Sequence, residues 1–260
     1  MLKEVEVITA LETETQPDGT AVISIDAYDG CQLQCPYCFQ LNNRTWSHHI
    51  NIRTNIAQVL QADLQRLPDS NTELFVGSLS DPYMDIEQKY GLTRSILEVL
   101  KDTPYRIYIT TKAINGLILR DLELLQSFKT KPIILLGLSH IEEASKAAAH
   151  RNIQVAQQLH EAGIQVRVFL TPVLPHIMDV EAMIGAIPPD IPVYLDKLRV
   201  FEQGNQNVRL YAWVKAHHPT YTEHYRNILF GADETYYRNL VRQYGQDPRI
   251  TFMSELWNEA

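Results

Sequence analysis

The stretch "DAYDGCQLQCPYCFQ", residues 26–40, contains all three cysteines of a 260-residue chain. Cys31, Cys35 and Cys38 follow the spacing C-x3-C-x2-C, and Tyr37 directly precedes the third. Three thiols cannot all pair within one chain, and three is one ligand short of a zinc site made of cysteine alone. Three thiolates in one loop can instead hold an iron–sulfur cluster and leave one iron without a protein ligand. The spacing therefore favours a cluster with an open iron that binds a substrate or cosubstrate.

Two other interpretations of the cysteines stay open. A structural zinc ion could take His48 or His49 as its fourth ligand, although zinc modules usually bring their ligands in two separated pairs. A buried trio without any ligand is the other, although the chain has no cysteine elsewhere. The zinc interpretation defines the competing class of protein, a non-catalytic scaffold.

Length and composition indicate one sizeable core, because 260 residues with 45% hydrophobic content is a common size for a single α/β barrel. We predict one domain over residues 1–260, with a barrel core at about 20–200 and an aromatic-rich C-terminal extension at 201–260. The acidic stretch 1–15 resembles neither a signal nor a transit peptide, and no apolar run is long enough to cross a membrane. With clustered thiols, these features predict a cytoplasmic protein that does not engage a membrane.

Apolar, β-branched runs alternate with segments of helical period along most of the chain. The predicted strands are residues 21–27, 73–79, 106–111, 132–139, 165–172 and 193–200. The predicted helices are residues 51–67, 86–102, 117–128, 143–163 and 180–187, with one more near 234–245. This alternation predicts an α/β fold with a parallel sheet, and six units fit a partial (β/α)6 TIM-like barrel. Sites in such folds form at the carboxyl ends of the strands.

The cysteine motif, with an aromatic residue before its third cysteine and a place after the first strand, resembles the signature of the radical SAM superfamily. The resemblance implies a [4Fe-4S] cluster held by Cys31, Cys35 and Cys38. It implies that the cluster reduces S-adenosylmethionine (SAM) to methionine and a 5′-deoxyadenosyl radical, which abstracts a hydrogen from a substrate. It further implies that the backbone near Tyr37 touches the adenine of SAM.

Later segments resemble the spore-photoproduct-lyase-like branch of this superfamily. They are "GSLSDPYMDIE" (77–87), "ITTKA" through "LILRDLELL" (109–125) and "RNIQVAQQLHEAGIQVRVFLTPVLP" (151–175). The likeness spans about residues 20–200 and leaves the C-terminal extension without a counterpart.

The branch resemblance places the amino group of SAM near the end of the second predicted strand. Gly77 allows a close backbone approach there, and Ser78, Ser80 and Asp81 can donate or accept hydrogen bonds. An ordinary polar turn between a strand and a helix would explain the same residues.

Further contacts with SAM are expected after the third and fourth predicted strands. Lys112 is the expected partner of the SAM carboxylate, and Ser139 and Arg151 are candidates for its ribose and carboxylate. Lys112 could instead be a solvated charge, and Arg151 could pair with Glu142 or Glu143.

The segment "TPVLP" (171–175), at the end of the fifth predicted strand, matches the part that packs on the adenine in radical SAM enzymes. Pro172 and Leu174 are the candidate residues of this segment. Without the resemblance it would be a plain loop. No catalytic side chain is assigned.

The substrate class is predicted from what the chain lacks. Spore photoproduct lyase returns a hydrogen atom from a cysteine at about the position of Ser78, and a hydroxyl O–H bond is too strong for that step. The net charge of −8 and the lack of a basic stripe also disfavour DNA or tRNA, which is the alternative substrate. We therefore predict a ribosomally made peptide, as for spliceases that excise tyramine at a Tyr-Gly site and leave an α-keto-β-amino acid.

The partners expected from this resemblance are a small recruiting protein and an electron donor of the flavodoxin or ferredoxin type. The aromatic extension offers surface for the recruiting protein or the peptide, since tyrosine and tryptophan are favoured at interfaces. Packing against the barrel would explain the same aromatic residues.

Overall fold

The computed structural model describes residues 1–15, 21–42, 49–67, 72–113, 115–138, 145–200 and 204–253. The chain divides into two compact units. The first consists of Met1–Leu33, Thr45–Leu136 and Gln154–Arg167, and the second of Gln34–Arg44, Gly137–Ile153 and Val168–Ala260.

Strands and helices alternate through the middle of the chain, as the sequence predicts. The described strands are β1 (Leu2–Val5), β2 (Glu12–Thr15), β3 (Ala21–Ile25), β4 (Tyr28–Asp29), β5 (Ile50–Arg53), β6 (Glu73–Val76), β7 (Arg106–Thr111), β8 (Ile133–Gly137), β9 (Gln165–Leu170), β10 (Val193–Leu195) and β11 (Ile250–Phe252). The described helices are α1 (Ile56–Leu64), α2 (Glu87–Tyr90), α3 (Leu92–Leu100), α4 (Leu122–Ser127), α5 (Ser145–Glu161), α6 (Val180–Ala186), α7 (Asn205–His217), α8 (Thr222–Phe230) and α9 (Thr235–Tyr244). None of these helices is both long and apolar enough to cross a membrane.

The first unit is built on a sheet in which β3, β6, β7 and β8 are parallel neighbours and β2 pairs antiparallel with β3. The parallel strands share one apolar, largely buried face. Their side chains Ile25, Leu74, Ile107, Ile109, Ile134 and Leu136 are fully buried. In the second unit, residues 168–170 of β9 pair parallel with β10, which pairs parallel with β11. The predicted parallel α/β sheet is confirmed.

A second, three-stranded sheet lies in the first unit and corrects one prediction. Its order is β1-β5-β4, with β1 parallel and β4 antiparallel to β5. The predicted helix over 51–67 is wrong at its start, because Ile50–Arg53 is a strand and the helix begins at Ile56. Ile50 and Ile52 alternate with polar residues, which is the period of a strand, and Ile52 is fully buried.

The chain beyond residue 200 is more regular than the sequence predicts. The helix expected near 234–245 is confirmed as α9, whereas α7, α8 and β11 were not predicted. Buried apolar and aromatic residues come from all three helices: Leu210, Val214, Tyr225, Ile228, Leu229, Tyr237 and Leu240. Part of the aromatic content of the extension is therefore core of the second unit.

A glycine sets the backbone path into the cysteine loop. Gly30 lies between β4 and Cys31 with a φ of 110°, and a Cβ on it would lie 2.2 Å from the carbonyl oxygen of His49. Gly163 also has positive φ, at 78°, but no heavy atom lies within 4 Å of its Cβ position. Comparing a substitution at Gly30 with one at Gly163 therefore distinguishes the effect of backbone strain from that of steric clash.

We expect Gly30→Ala to lower the free energy of unfolding by about 2–5 kcal/mol, because left-handed strain and overpacking add. Gly163→Ala should cost about 1–2 kcal/mol, since only the strain applies. Urea unfolding of both variants measures the difference. Equal losses would mean that the backbone around His49 shifts without cost.

Candidate functional site

Three neighbouring strands of the first unit end at the same edge of the sheet, and polar residues directly follow each one. Asp26 follows β3, the segment 77–81 follows β6 and Lys112 follows β7. The backbone N–H of Lys112 donates to Oδ2 of Asp81 at 2.6 Å. The structure thus brings the predicted site residues Ser80, Asp81 and Lys112 to one edge.

The carboxylate of Asp81 is buried and fully engaged. Its Oδ1 accepts hydrogen bonds from the Tyr83 N–H (2.9 Å) and the Thr111 hydroxyl (2.8 Å). Its Oδ2 accepts from the N–H groups of Lys112 and Ala113 (3.1 Å). Burial raises the pKa of Asp81, and these four donors act in the opposite direction. Asp81 therefore fastens the turn after β6 to the end of β7, and a contact between its side chain and SAM stays a prediction.

Asp26 makes the matching connection between β3 and the turn after β6. Its Oδ1 accepts from the N–H groups of Leu79 (3.1 Å) and Ser80 (3.0 Å). Its buried Oδ2 has no hydrogen-bond partner among the described residues. Burial raises the pKa of Asp26 to about 7, against the two backbone hydrogen bonds. The sequence interpretation missed Asp26, because it placed this residue inside the predicted strand 21–27.

Two buried residues anchor the chain just before the cysteine loop. The Ser80 hydroxyl donates to the Tyr28 carbonyl oxygen at 2.6 Å, and the Tyr28 hydroxyl donates to Oε2 of Glu87 at 2.5 Å. Tyr28 and Glu87 are fully buried, and Arg120 balances the glutamate charge at 2.9 Å. Burial, then the negative charge of Glu87, raises the pKa of Tyr28 and keeps it a donor. Ser80 was a predicted site residue, whereas Tyr28 and Glu87 were not.

The first cysteine lies between two anchored neighbours. On one side, Asn51 donates to Oδ2 of Asp29 at 2.9 Å. On the other, the Gln32 N–H donates to the Met84 sulfur at 3.0 Å, and Gln32 Oε1 accepts from the Ile86 N–H at 3.1 Å. The segment 77–87 therefore supports the start of the cysteine loop. Its Gly77 has a φ of 83°, and a Cβ there would lie 2.4 Å from Pro82, so only glycine fits.

The second and third cysteines lie in the second unit on a tight turn. The Cys38 N–H donates to the Cys35 carbonyl oxygen at 2.9 Å, and a short 3-10 helix, Phe39–Asn42, follows. None of the three cysteines forms a disulfide, and each is partly exposed. The donor set fits an iron–sulfur cluster, because all three sulfurs are thiols and none is sealed in the core. Within the described ranges, no three His, Cys, Asp or Glu side chains already form a metal site, so the ligand set stays a prediction.

The carbonyl of Tyr37 is held from the C-terminal extension. Tyr37 is buried, and its carbonyl oxygen accepts from Nε2 of Gln206 at 2.7 Å. Gln206 also donates from Nε2 to the Arg199 carbonyl oxygen (3.0 Å) and from its N–H to Oδ1 of Asn42 (3.1 Å). Gln206 thus fixes the turn that carries the last two cysteines, a role that its sequence position did not indicate.

The loop after β9 is held in a similar way. The Val173 N–H donates to the Asp196 carbonyl oxygen at 2.8 Å. The hydroxyls of Tyr237 and Tyr225 donate to the carbonyl oxygens of Val173 and Pro175, both at 3.1 Å. Of the two predicted SAM contacts in this loop, Leu174 is fully buried and Pro172 is partly exposed.

The remaining predicted residues are less informative. Arg151 is exposed on α5, while its neighbour Asn152 is buried and donates to the Gly137 carbonyl oxygen at 3.1 Å. Ser78 and Lys112 are partly exposed. Ser139, Glu142, Glu143 and His48 lie outside the described residues.

Sequence comparison finds relatives without a described function. No protein-family model matches the chain. It is 29% identical over 177 residues to an uncharacterized protein of Methanocaldococcus jannaschii, covering 64% of this chain and 65% of the relative. An uncharacterized protein of Mycobacterium tuberculosis is 23% identical over 227 residues, which is 79% of this chain and 66% of the relative. The alignments cover just under two thirds of the length of these relatives.

Solved structures show the same fold. Spore photoproduct lyase complexed with dinucleoside spore photoproduct matches with a TM-score of 0.59 and 14% identity, over 84% of this chain and 66% of that chain. A variant of that lyase with bound AdoMet and the same dinucleoside has a TM-score of 0.57, 13% identity and the same coverage. Streptococcus suis SuiB bound to S-adenosylmethionine has a TM-score of 0.55 and 14% identity, over 90% of this chain and 51% of that chain. The resemblance to the spore-photoproduct-lyase-like branch is therefore confirmed at the level of the fold.

The buried carboxyl of Asp26 predicts a pH dependence of stability. Its folded-state pKa, about 7, lies above the ordinary value of 3.8, so the folded chain keeps a proton that the unfolded chain releases. This stabilisation is complete below about pH 4 and is lost as the pH rises through about 7. The loss is on the order of 4 kcal/mol. Asp26→Asn cannot titrate and should lack this part of the pH dependence in urea unfolding.

Asp63→Asn is the control with the opposite sign. The Ala10 N–H donates to Oδ2 of Asp63 at 2.8 Å and lowers its pKa, so its stabilisation is lost as the pH falls. Identical pH profiles for wild type and Asp26→Asn would contradict the raised pKa.

Proposed function

We propose that the chain is a radical SAM enzyme in which Cys31, Cys35 and Cys38 bind a [4Fe-4S] cluster and SAM lies at the carboxyl ends of the strands. The observation that carries the proposal is the C-x3-C-x2-C loop, placed directly after β4 in a chain with the fold of spore photoproduct lyase. When bound, the cluster supplies the electron that cleaves SAM and generates the 5′-deoxyadenosyl radical. The partial (β/α)6 barrel and the single domain over 1–260 stay predictions.

The residues around the strand ends support this proposal because they hold the turn after β6 in place. Asp26 and Asp81 hold the turn after β6 in one conformation, and Gly77 lets the backbone pass close to Pro82. A binding loop that is already ordered loses less entropy when its ligand binds. The N–H of Lys112 donates to Asp81, which places Lys112 at this edge, and its ammonium group would pair with the SAM carboxylate.

The cysteine assignment predicts that replacing Cys31, Cys35 or Cys38 with Ala abolishes 5′-deoxyadenosine production. Two thiolates cannot keep the cluster in place with its open iron. The measurement is iron and sulfide content after anaerobic reconstitution, together with 5′-deoxyadenosine by mass spectrometry. Leu33→Ala, an exposed position in the same loop, is the control and should keep both.

The same reconstitution separates the enzyme from the zinc scaffold. An enzyme takes up iron and sulfide and gains the broad visible absorption of a cluster. A colourless protein that keeps one tightly bound zinc ion, or a cysteine variant with full 5′-deoxyadenosine production, would contradict the assignment.

For the substrate, we propose a ribosomally made peptide, from which the enzyme excises tyramine and leaves an α-keto-β-amino acid. The support is Ser78 at the end of β6, where the hydrogen-donating cysteine of the spore lyase is expected, and the net charge of −8. A small protein would recruit the peptide, and a flavodoxin- or ferredoxin-type protein would supply electrons. DNA or tRNA is the second candidate, because spore photoproduct lyase is solved with a dinucleoside photoproduct.

The substrate experiment gives the reconstituted enzyme, SAM and reductant three separate substrates: a precursor peptide encoded beside its gene, ultraviolet-damaged DNA and tRNA. We expect a mass change only in the peptide, and Cys35→Ala is the matched inactive enzyme. A modification found only in a nucleic acid overturns the peptide proposal and leaves the radical SAM assignment intact.

A further inference from the structure

Three buried polar side chains of the C-terminal extension donate hydrogen bonds to backbone carbonyls in two short segments of the second unit. These segments are the turn around Tyr37 and the loop 171–175, the parts that the resemblance links with the adenine of SAM. The donors lie on three different helices, α7, α8 and α9. The pairs are Gln206 with Tyr37, Tyr225 with Pro175, and Tyr237 with Val173, at 2.7, 3.1 and 3.1 Å.

Packing alone does not require the hydroxyls of Tyr225 and Tyr237, which both bond these carbonyls. Tyr225 and Tyr237 are buried, and phenylalanine would fill nearly the same volume without a polar atom to satisfy. The Tyr237 oxygen also accepts from the Leu198 N–H at 3.2 Å, which fixes it from two sides. Burial raises the pKa of both tyrosines, so both stay protonated donors at neutral pH.

The side-chain amide of Gln206 has one orientation. Both hydrogen-bond partners of Nε2, the carbonyl oxygens of Tyr37 and Arg199, are acceptors, which fixes the orientation of the amide group. Gln206 therefore holds the Tyr37 carbonyl, and with it the turn between Cys35 and Cys38, in one orientation.

We propose that the C-terminal extension is the scaffold that positions the adenine side of the SAM site, with Gln206, Tyr225 and Tyr237 as positioning residues. This inference rests on the proposed function and gives the C-terminal extension a role at the SAM site, distinct from the partner surface that the sequence suggested. The extension then acts on the affinity and orientation of SAM through two backbone segments, without touching the reacting atoms.

The test measures equilibrium binding to the oxidised, reconstituted holoprotein, in which SAM is not cleaved. The variants are Gln206→Met and Tyr237→Phe, with Tyr225→Phe as the second tyrosine. Each is tested with SAM, with 5′-deoxyadenosine, which carries the adenine, and with methionine, which carries the amino and carboxylate groups. We expect each variant to bind SAM and 5′-deoxyadenosine about 3- to 10-fold more weakly, the effect of the one hydrogen bond that each donor makes to its adenine-side segment, with methionine affinity unchanged.

The controls are Gln243→Met and Tyr244→Phe. Both residues lie on α9, where Nε2 of Gln243 donates a hydrogen bond to the Tyr244 hydroxyl at 3.1 Å. Both control variants should bind all three ligands as the wild type does. Unchanged SAM affinity in the three test variants, or an equal loss for SAM and methionine, overturns the inference while the proposed function stands. A wild-type holoprotein that binds no SAM overturns the proposed function itself.

A measurement without cofactor tests the same contacts. In the cluster-free protein, Tyr237→Phe should speed hydrogen exchange at two backbone amides. The Leu198 amide loses its acceptor, and the Val173 amide belongs to the residue whose carbonyl the hydroxyl holds. Tyr244→Phe should leave both rates unchanged. Wild-type exchange at both amides in Tyr237→Phe would show that the hydroxyl does not hold the loop, and would overturn the inference.

Discussion

The candidate site depends on the hydrogen bonds that the buried carboxylate of Asp81 accepts. Where a parallel strand ends, its backbone N–H groups lose their ladder partners and need another acceptor. Asp81 provides one for residues 112 and 113 while it also closes the turn at Tyr83. Asp26 does the same for Leu79 and Ser80. Two carboxylates thus join the ends of β3, β6 and β7 into one connected edge, and removing either would leave several buried donors unsatisfied at once.

In the first unit carboxylates satisfy backbone donors, whereas in the second unit neutral side chains satisfy backbone acceptors. There the loops present carbonyl oxygens, and Gln206, Tyr225 and Tyr237 supply the donors. Neutral donors carry a smaller desolvation cost than charged ones, so they can be fully buried without a counter-ion. In both units a side chain holds the backbone of a predicted binding segment. Such segments are ordered before a ligand arrives, which lowers the entropic cost of binding.

The parts of the fold that the sequence predicted are those set by local pattern. The six apolar strands and the cysteine spacing lie within short windows, so they could be recognised without the structure. Helix α7 could not, because its buried face carries Gln206 and Asn207 while Val208 is 64% exposed, which reverses the usual pattern. The role of Gln206 depends on Tyr37, 169 residues away in the chain. Asp26 and Glu87 are similar cases, since only tertiary contacts distinguish them from surface acids.

Burial also changes the meaning of the net charge of −8. Asp26, with a pKa near 7, and Asp81, with a raised pKa, are counted as full negative charges although neither lies on the surface. Glu87 and Asp121 are buried as well, and Arg94 and Arg120 neutralise them at 2.6–3.1 Å. The surface that a nucleic acid would meet is thus less acidic than the formal charge indicates. Ser78, at the position expected for the hydrogen-donating cysteine, consequently carries more of the argument for a peptide substrate than the charge does.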